Sequence, residues 1–144
     1  MKTIILMISI TTLISCGKSP LLMEKKSHEI SSYNELSSEK KFKTSNHNLS
    51  LKWLSPINSL ESAKALLIVT QHSYAADLPS PFNIFLWMPD MGHGAPPITI
   101  KKIGSGLYEL SDIYFIMDGF WQIRIQLKNN DTLTEEQIFE YTLQ

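Results

Sequence analysis

The chain has 144 residues, with 13 Lys and Arg against 14 Asp and Glu and a formal net charge of −1. That length suits one domain with some chain to spare, and a near-neutral balance offers no basic face for nucleic acid. A single cysteine, Cys16, excludes an internal disulfide and leaves the rest of the chain without a thiolate for metal binding or nucleophilic catalysis.

Met1-Lys2 supplies one positive charge, and Ile4 to Ile14 is a mostly apolar run interrupted by Ser9, Thr11 and Thr12. A bilayer needs about 20 apolar residues, so the run is too short to span one. A charged start, a short apolar stretch and small residues at its end predict a secretory signal peptide over residues 1–15. The run closes on Leu13-Ile14-Ser15-Cys16-Gly17. This resembles a bacterial lipobox, which implies that Cys16 becomes a lipidated first residue and ties the chain to a membrane. An unpaired thiol is a liability in an exported protein, and a thioether-linked lipid removes it. Gly17 is not the Asp associated with inner-membrane retention, so a cell with an outer membrane is expected to place the protein there.

Residues 16–48 read as a flexible tether. The stretch is rich in Ser, Lys and Glu and poor in branched apolar residues, so it buries too little surface to offset chain entropy. Ile30, Tyr33 and Leu36 stand at helical spacing and suggest a transient helical turn. His28 and His47 fall in this stretch and read as solvated linker residues.

From Leu49 the pattern changes. Residues 49–144 carry 6 basic and 10 acidic side chains, a net −4. Leu49, Leu51 and Trp53 alternate with polar residues, the period-2 mark of a half-buried strand. Ala65 to Thr70 is a continuous apolar run. Asp77 to Pro81 is a loop whose two prolines exclude a central strand. Phe82, Ile84, Leu86 and Met88 share one face of the next strand, and Ile98 to Ile103 forms another. Gly104-Ser105-Gly106 turns the chain. Leu107 to Leu110 and Ile113 to Phe115 make one broken strand or two short ones. After Asp118-Gly119, Trp121, Ile123, Ile125 and Leu127 give the cleanest alternation in the chain. Gln137 to Leu143 closes the domain, with Phe139, Tyr141 and Leu143 on one face. Ser59 to Leu67 could form a helical turn, and Thr134-Glu135-Glu136-Gln137 resembles a helix start; strand context makes both readings secondary. About seven short strands in some hundred residues predict an all-β, immunoglobulin-like β-sandwich over residues 49–144. A small closed barrel is the alternative.

The most unusual stretch is Trp87-Met88-Pro89-Asp90-Met91-Gly92-His93-Gly94, a turn holding two methionines and a histidine. In a seven-strand sandwich it connects the third strand to the fourth, and Met117 lies between the fifth and the sixth. Antiparallel strands alternate in direction, so these two connections share one end of the sandwich with the first-to-second connection. Met88, Met91, His93 and Met117 are therefore expected to converge. His72, which follows the second strand, is expected at the opposite end.

The run MPDMGHGAPP, followed by GSGLYEL and FIMDGFWQIRIQL, resembles the YtkA-like family, relatives of the extracytoplasmic FixH-type domain. Met88, Pro89, Met91 and His93 match the family's turn, Gly106 and Tyr108 its middle strand, and Met117, Gly119 and Trp121 its last element. The resemblance covers about residues 49–144, its specific part 86–127, and none of the tether. It implies an association with copper and with respiratory oxidase assembly. FixH-type proteins carry a transmembrane helix, whereas this chain would use a lipid, so a shared partner does not follow.

The residue chemistry points the same way. Thioethers are soft donors that suit Cu(I) and ligate Zn(II), Mg(II) or Ca(II) poorly, and imidazole also suits copper. Asp90 and Asp118 stand close enough in sequence to orient His93 from behind, and Trp87 or Trp121 could shield the site from water. A bland reading stands beside this one. Met88 and Met117 could fill core gaps, the glycines could serve only the turn, and His93 could cap it by bonding a nearby carbonyl. No enzyme is expected. A nucleophile elbow, a P-loop, a GxGxxG before a helix, a HExxH and a paired carboxylate motif are all missing, and adjacent His72, Ser73 and nearby Asp77 do not make a triad. The expectation is a membrane-anchored binding domain of the cell envelope that handles Cu(I), or else a metal-free module that docks on an unidentified envelope protein.

Overall fold

The computed structural model describes residues 36, 37 and 39–144. The leader, Cys16, His28 and the first part of the tether lie outside the described residues. Seven principal strands form: β2 (His47–Trp53), β3 (Ala63–Gln71), β5 (Phe82–Met88), β7 (Thr99–Gly104), β8 (Leu107–Ile113), β9 (Gly119–Asn129) and β10 (Thr132–Leu143). Three two-residue strands, β1 (Lys40–Lys41), β4 (Tyr74–Ala75) and β6 (His93–Gly94), decorate the edges.

The strands form two antiparallel sheets. One runs β1-β2-β3-β8-β7, with β4 paired to β3, and the other runs β10-β9-β5-β6. Counting only the principal strands, the first, second, fifth and fourth face the seventh, sixth and third. This is the strand order of a constant-type immunoglobulin domain. The expected sandwich is present, and the sheets remain two open layers.

Alternation explains the core. The inward residues of β2 (Leu49, Leu51, Trp53), β3 (Ala65, Leu67, Val69), β5 (Ile84, Leu86, Met88) and β9 (Trp121, Ile123, Ile125, Leu127) are all buried. Burying each of the Leu, Ile, Val and Met side chains among them contributes roughly 1.5–3 kcal/mol. The ambiguous stretch after Gly106 is one strand with a bulge: Asp112 takes φ 58°, and the register to β3 slips between the Ala65–Leu110 and Ala63–Ile113 pairs. The extra residue keeps Leu110 and Ile113 both facing inward.

Neither secondary helix reading survives. Asn58 Oδ1 accepts hydrogen bonds from the N–H groups of Leu60 and Glu61, which closes a turn, and strand β3 begins at Ala63. Thr134 to Gln137 belongs to β10, paired against β9. Eleven cross-strand positions on β9 outweigh a local capping pattern.

The tether is shorter than expected. Leu36 bridges Lys52, Ser37 N–H donates to Leu51 O, and β1 pairs with β2. Phe42 is fully buried in the core. Residues 36, 37 and 39–48 therefore belong to the domain. Composition misleads here because a single deeply inserted aromatic, together with backbone pairing to an edge strand, holds an otherwise polar segment. His47 is likewise no linker residue: it opens β2 facing inward and is buried.

A carboxylate ties this added hairpin to the other sheet. Glu135 of β10 accepts hydrogen bonds from Thr44 N at 2.8 Å and Ser45 N at 3.2 Å. Partial desolvation raises its pKa, but the N–H groups of Thr44, Ser45 and Lys43 outweigh that and hold it below the usual glutamate value. A carboxylate depressed in the folded state stabilises above its unfolded pKa and loses that contribution as pH falls through the folded value. The Lys43–Asn46 turn should therefore loosen as pH falls through and below the ordinary glutamate range. Protection of the Thr44 and Ser45 amides relative to their intrinsic exchange rates should fall in acid in the native chain, whereas Glu135→Gln should show low protection at every pH. Unchanged protection in both would refute the latch.

Candidate functional site

The signature stretch folds as a tight hairpin at one end of the sandwich. Pro89 to Met91 make one 3₁₀ turn, and Gly92 ends it at φ 65° with its N–H donated to Met88 O and Pro89 O. The chain returns as β6, so that Met88 lies opposite His93 and Trp87 opposite Gly94. Directly opposed residues project from the same face. Met88 faces inward, so His93 is carried toward the interior edge, beside Trp121. Trp87 alternates to the outer face of the sheet, whereas Trp121 lies on the inner face beside His93.

The two rings meet edge to face, with centroids 6.4 Å apart. Trp121 is fully buried and donates its Nε1–H to Met117 O at 2.9 Å. Through that one indole, the connection after β8 is fixed beside the β5–β6 turn. Met88 closes the group from below. A Cβ added to Gly119 would lie 2.5 Å from Met88 Cε, and Gly119 sits at φ 135°. The glycine that opens β9 thus leaves the space that the Met88 methyl fills.

The four proposed donors share one end, but not one exposure. Met88 is 5% exposed, His93 is half-buried, Met117 is 38% exposed and Met91 58% exposed. Met88 serves the core, as the bland reading anticipates. Met91, His93 and Met117 remain open to a ligand. His93 Nδ1 lies 3.0 Å from Gly94 O. A carbonyl only accepts, so this contact assigns the donor role to Nδ1, and in the neutral ring Nε2 is then the nitrogen available to a ligand. The ring is oriented by this backbone carbonyl and not by a carboxylate. Asp118 Oδ1 instead accepts from Ser59 Oγ at 2.8 Å, which joins the β2–β3 and β8–β9 connections at the same end. Asp90 is exposed in the 3₁₀ turn.

Beneath the site runs a line of aromatic rings from sheet to sheet. Trp121 meets Phe115 at 5.8 Å, Phe115 meets Trp53 at 5.9 Å, and Trp53 meets Tyr141 at 5.2 Å, all tilted or edge to face. Each such pair adds about 0.5–1.5 kcal/mol beyond its buried area. Burial pushes the Tyr141 hydroxyl up to about 12, with the nearby Trp53 side chain working in the opposite direction. The exposed donors thus stand over a layer of packed rings. Residue spacing announced none of it, because the rings come from β2, β10, β9 and one loop.

His72 lies at the opposite end, where its Nε2 accepts from Asn46 Nδ2 at 3.0 Å. Gly106 and Tyr108 are also remote from the turn. Tyr108 Oη accepts from Leu78 N at 3.0 Å, and Asp77 takes Gly106 N–H at 2.9 Å and also pairs with Lys102. Their role is to close that far end. Among the described residues, no three His, Cys, Asp or Glu side chains gather into a group able to hold a metal ion. Any metal at the turn would therefore depend on thioether sulfur, which restricts the choice to a soft ion. No family model, curated protein or solved structure matches this chain.

Proposed function

We propose that the chain is a lipid-anchored, extracytoplasmic binding domain of the YtkA-like type, which holds Cu(I) through Met91, His93 and Met117, with Met88 beneath them. The observation that carries this reading is the shared end: Met91 and Met117, both exposed, lie in connections at the same end of the sandwich as His93, whose Nδ1 faces Gly94 O. The free Nε2 and two thioethers make a soft, neutral donor set of the kind Cu(I) prefers. Trp121 closes the site from below. The chemistry is ligand exchange at a rigid surface and not turnover. Cys16 would carry the lipid, and the envelope, on the outer membrane where there is one, is the compartment.

Titrating the full chain with Cu(I) against a chromophoric Cu(I) chelator tests this directly. Met91→Ala and His93→Ala should each weaken binding about tenfold, equivalent to about 1.4 kcal/mol. His72→Ala, at the other end, should change nothing. Binding that neither of the first two substitutions affects would remove the site, and no competition by the native chain would remove copper altogether.

The second reading is a metal-free module that docks on an envelope protein through the same end. It is favoured by the packing of Met88 against Gly119 and by the hydrogen bond of His93 to the Gly94 carbonyl, the two features expected of a turn that serves the fold alone.

A further inference from the structure

Exposed apolar side chains are unevenly distributed over the domain. Ten large ones are exposed among the described residues, and seven of them (Leu36, Leu54, Leu60, Met91, Tyr114, Ile116 and Met117) lie at the end that carries the Met/His turn. Single exposed apolar residues need no explanation, but a contiguous group does. Leu60 is 90% exposed at the tip of the β2–β3 connection. Ile116 stands in the β8–β9 connection, and Met91 in the β5–β6 turn. The Ser59–Asp118 hydrogen bond holds the first two connections together. The apolar group is thus a set of loop tips on a firm base, not a core residue showing through.

The chain also enters the domain at this end. Leu36 bridges Lys52 near the close of β2, and the chain then runs away from the apex along β1 before turning back as β2. Twenty residues separate Cys16 from Leu36, a reach of at most about 70 Å when fully extended. An anchor at Cys16 would thus join the domain at its apolar end, within reach of the membrane; the linker alone does not fix which end faces the bilayer, and the apolar loop tips would do so.

We propose that this apex is a lipid-docking face: Leu60, Ile116 and their neighbours insert into the headgroup region of the membrane that anchors Cys16. The proposal rests on the lipid-anchor reading above and deepens it, because it sets the Met/His site at the membrane surface. Loop tips bearing Leu, Ile and Tyr suit the boundary between headgroups and acyl chains. The charges nearby favour neutral lipid. Glu61, Asp90 and Asp118 stand in these loops against Lys52 and Lys64, so attraction to anionic headgroups is not the driving term. A lipid anchor and an apolar face act as two signals on one membrane, each strengthening the other.

Nitroxide labels on single cysteines test it, with the full chain in zwitterionic phosphatidylcholine vesicles. Labels at Leu60→Cys and Ile116→Cys should be shielded from an aqueous nickel chelate at least threefold more than a label at Tyr74→Cys, which lies at the other end. Equal access at all three positions overturns docking. Shielding at 60 and 116 that is already present without vesicles also overturns it, and assigns the face to a second copy of the chain. Palmitate incorporation at Cys16 is measured separately. If Cys16 takes no lipid, the anchor reading fails, and the same three labels on the Cys16→Ser chain mixed with vesicles still decide whether the apex binds lipid.

Discussion

Replacing Gly106 with alanine should destabilise the domain by about 4 kcal/mol, near the top of the range for a single substitution. Gly106 sits at φ 66°, and a Cβ there would lie 2.3 Å from Val69 O, 2.9 Å from Ala76 N and 3.0 Å from Ala76 O. All three are backbone atoms, so no side chain can swing aside. The same backbone is pinned by hydrogen bonds, with Val69 N–H donated to Gly106 O at 2.7 Å and Ala76 N–H to Val69 O at 3.1 Å. The alanine must separate β3 from the turn before β8, and a domain of ordinary stability has only about 5–15 kcal/mol in total. Urea unfolding should show a midpoint that falls sharply with an unchanged slope. A loss below about 1 kcal/mol, within the range of ordinary surface changes and mild strain, would contradict the geometry. Because Gly106 is remote from the Met/His turn, Cu(I) affinity of the protein that remains folded should be unaltered. The experiment thereby separates the end that holds the fold from the end that carries the proposed function.

Trp121→Ala should cost about 3–5 kcal/mol, the usual range for removing a fully buried large aromatic. Trp121 heads the fully buried side chains by volume, and it contacts both Phe115 and His93. Its loss also removes the only donor recorded to Met117 O among the described residues, so the β8–β9 connection should gain mobility. Trp121→Phe separates these effects. It keeps a ring in the core and deletes only the N–H, which should cost about 1 kcal/mol in hydrogen bonding, apart from the smaller packing change. Chemical denaturation gives the stabilities, and amide exchange through residues 114–118 reports the loop. Equal stability of native and Trp121→Ala chains would refute the aromatic base as a structural element.

The two ends divide the labour of the fold. At one, Gly106, Asp77, Tyr108 and Leu78 close the sandwich through short polar contacts to backbone. At the other, aromatic rings form a floor under loops whose tips are apolar and sulfur-bearing. The residues that carry the family resemblance fall on both ends. Met91 and His93 are exposed or half-buried at the turn, whereas Gly106, Tyr108, Gly119 and Trp121 are explained by packing. The resemblance therefore mixes positions that the fold requires with positions it does not, and the second kind is where function is to be sought.

Strand number and position were legible in the sequence because alternation is local: along β2 and β9 the inward residues are set apart by Asn48, Ser50 and Lys52 and by Gln122, Arg124 and Gln126, whereas β5 alternates two apolar faces, with Phe85 and Trp87 on the outer one. The shared end of the Met/His turn and Met117 was legible too, since chain direction in an antiparallel sandwich follows from strand order. The domain edge was not. Phe42 stands in a lysine-rich segment, and only the edge of β2 and the space in the core show that it belongs inside. Nor could spacing distinguish Met88, pressed on Gly119, from Met91 and Met117, which stay open. That difference depends on which atoms of distant strands occupy the volume beneath each side chain. The state of His93 is tertiary in the same sense, because its Nδ1 proton is held by the carbonyl of Gly94 once the turn has closed. The apolar apex belongs with these in part: strand order already sets the loops of Leu60, Ile116 and Met91 at one end, but that their side chains stay exposed there depends on what packs beneath each loop.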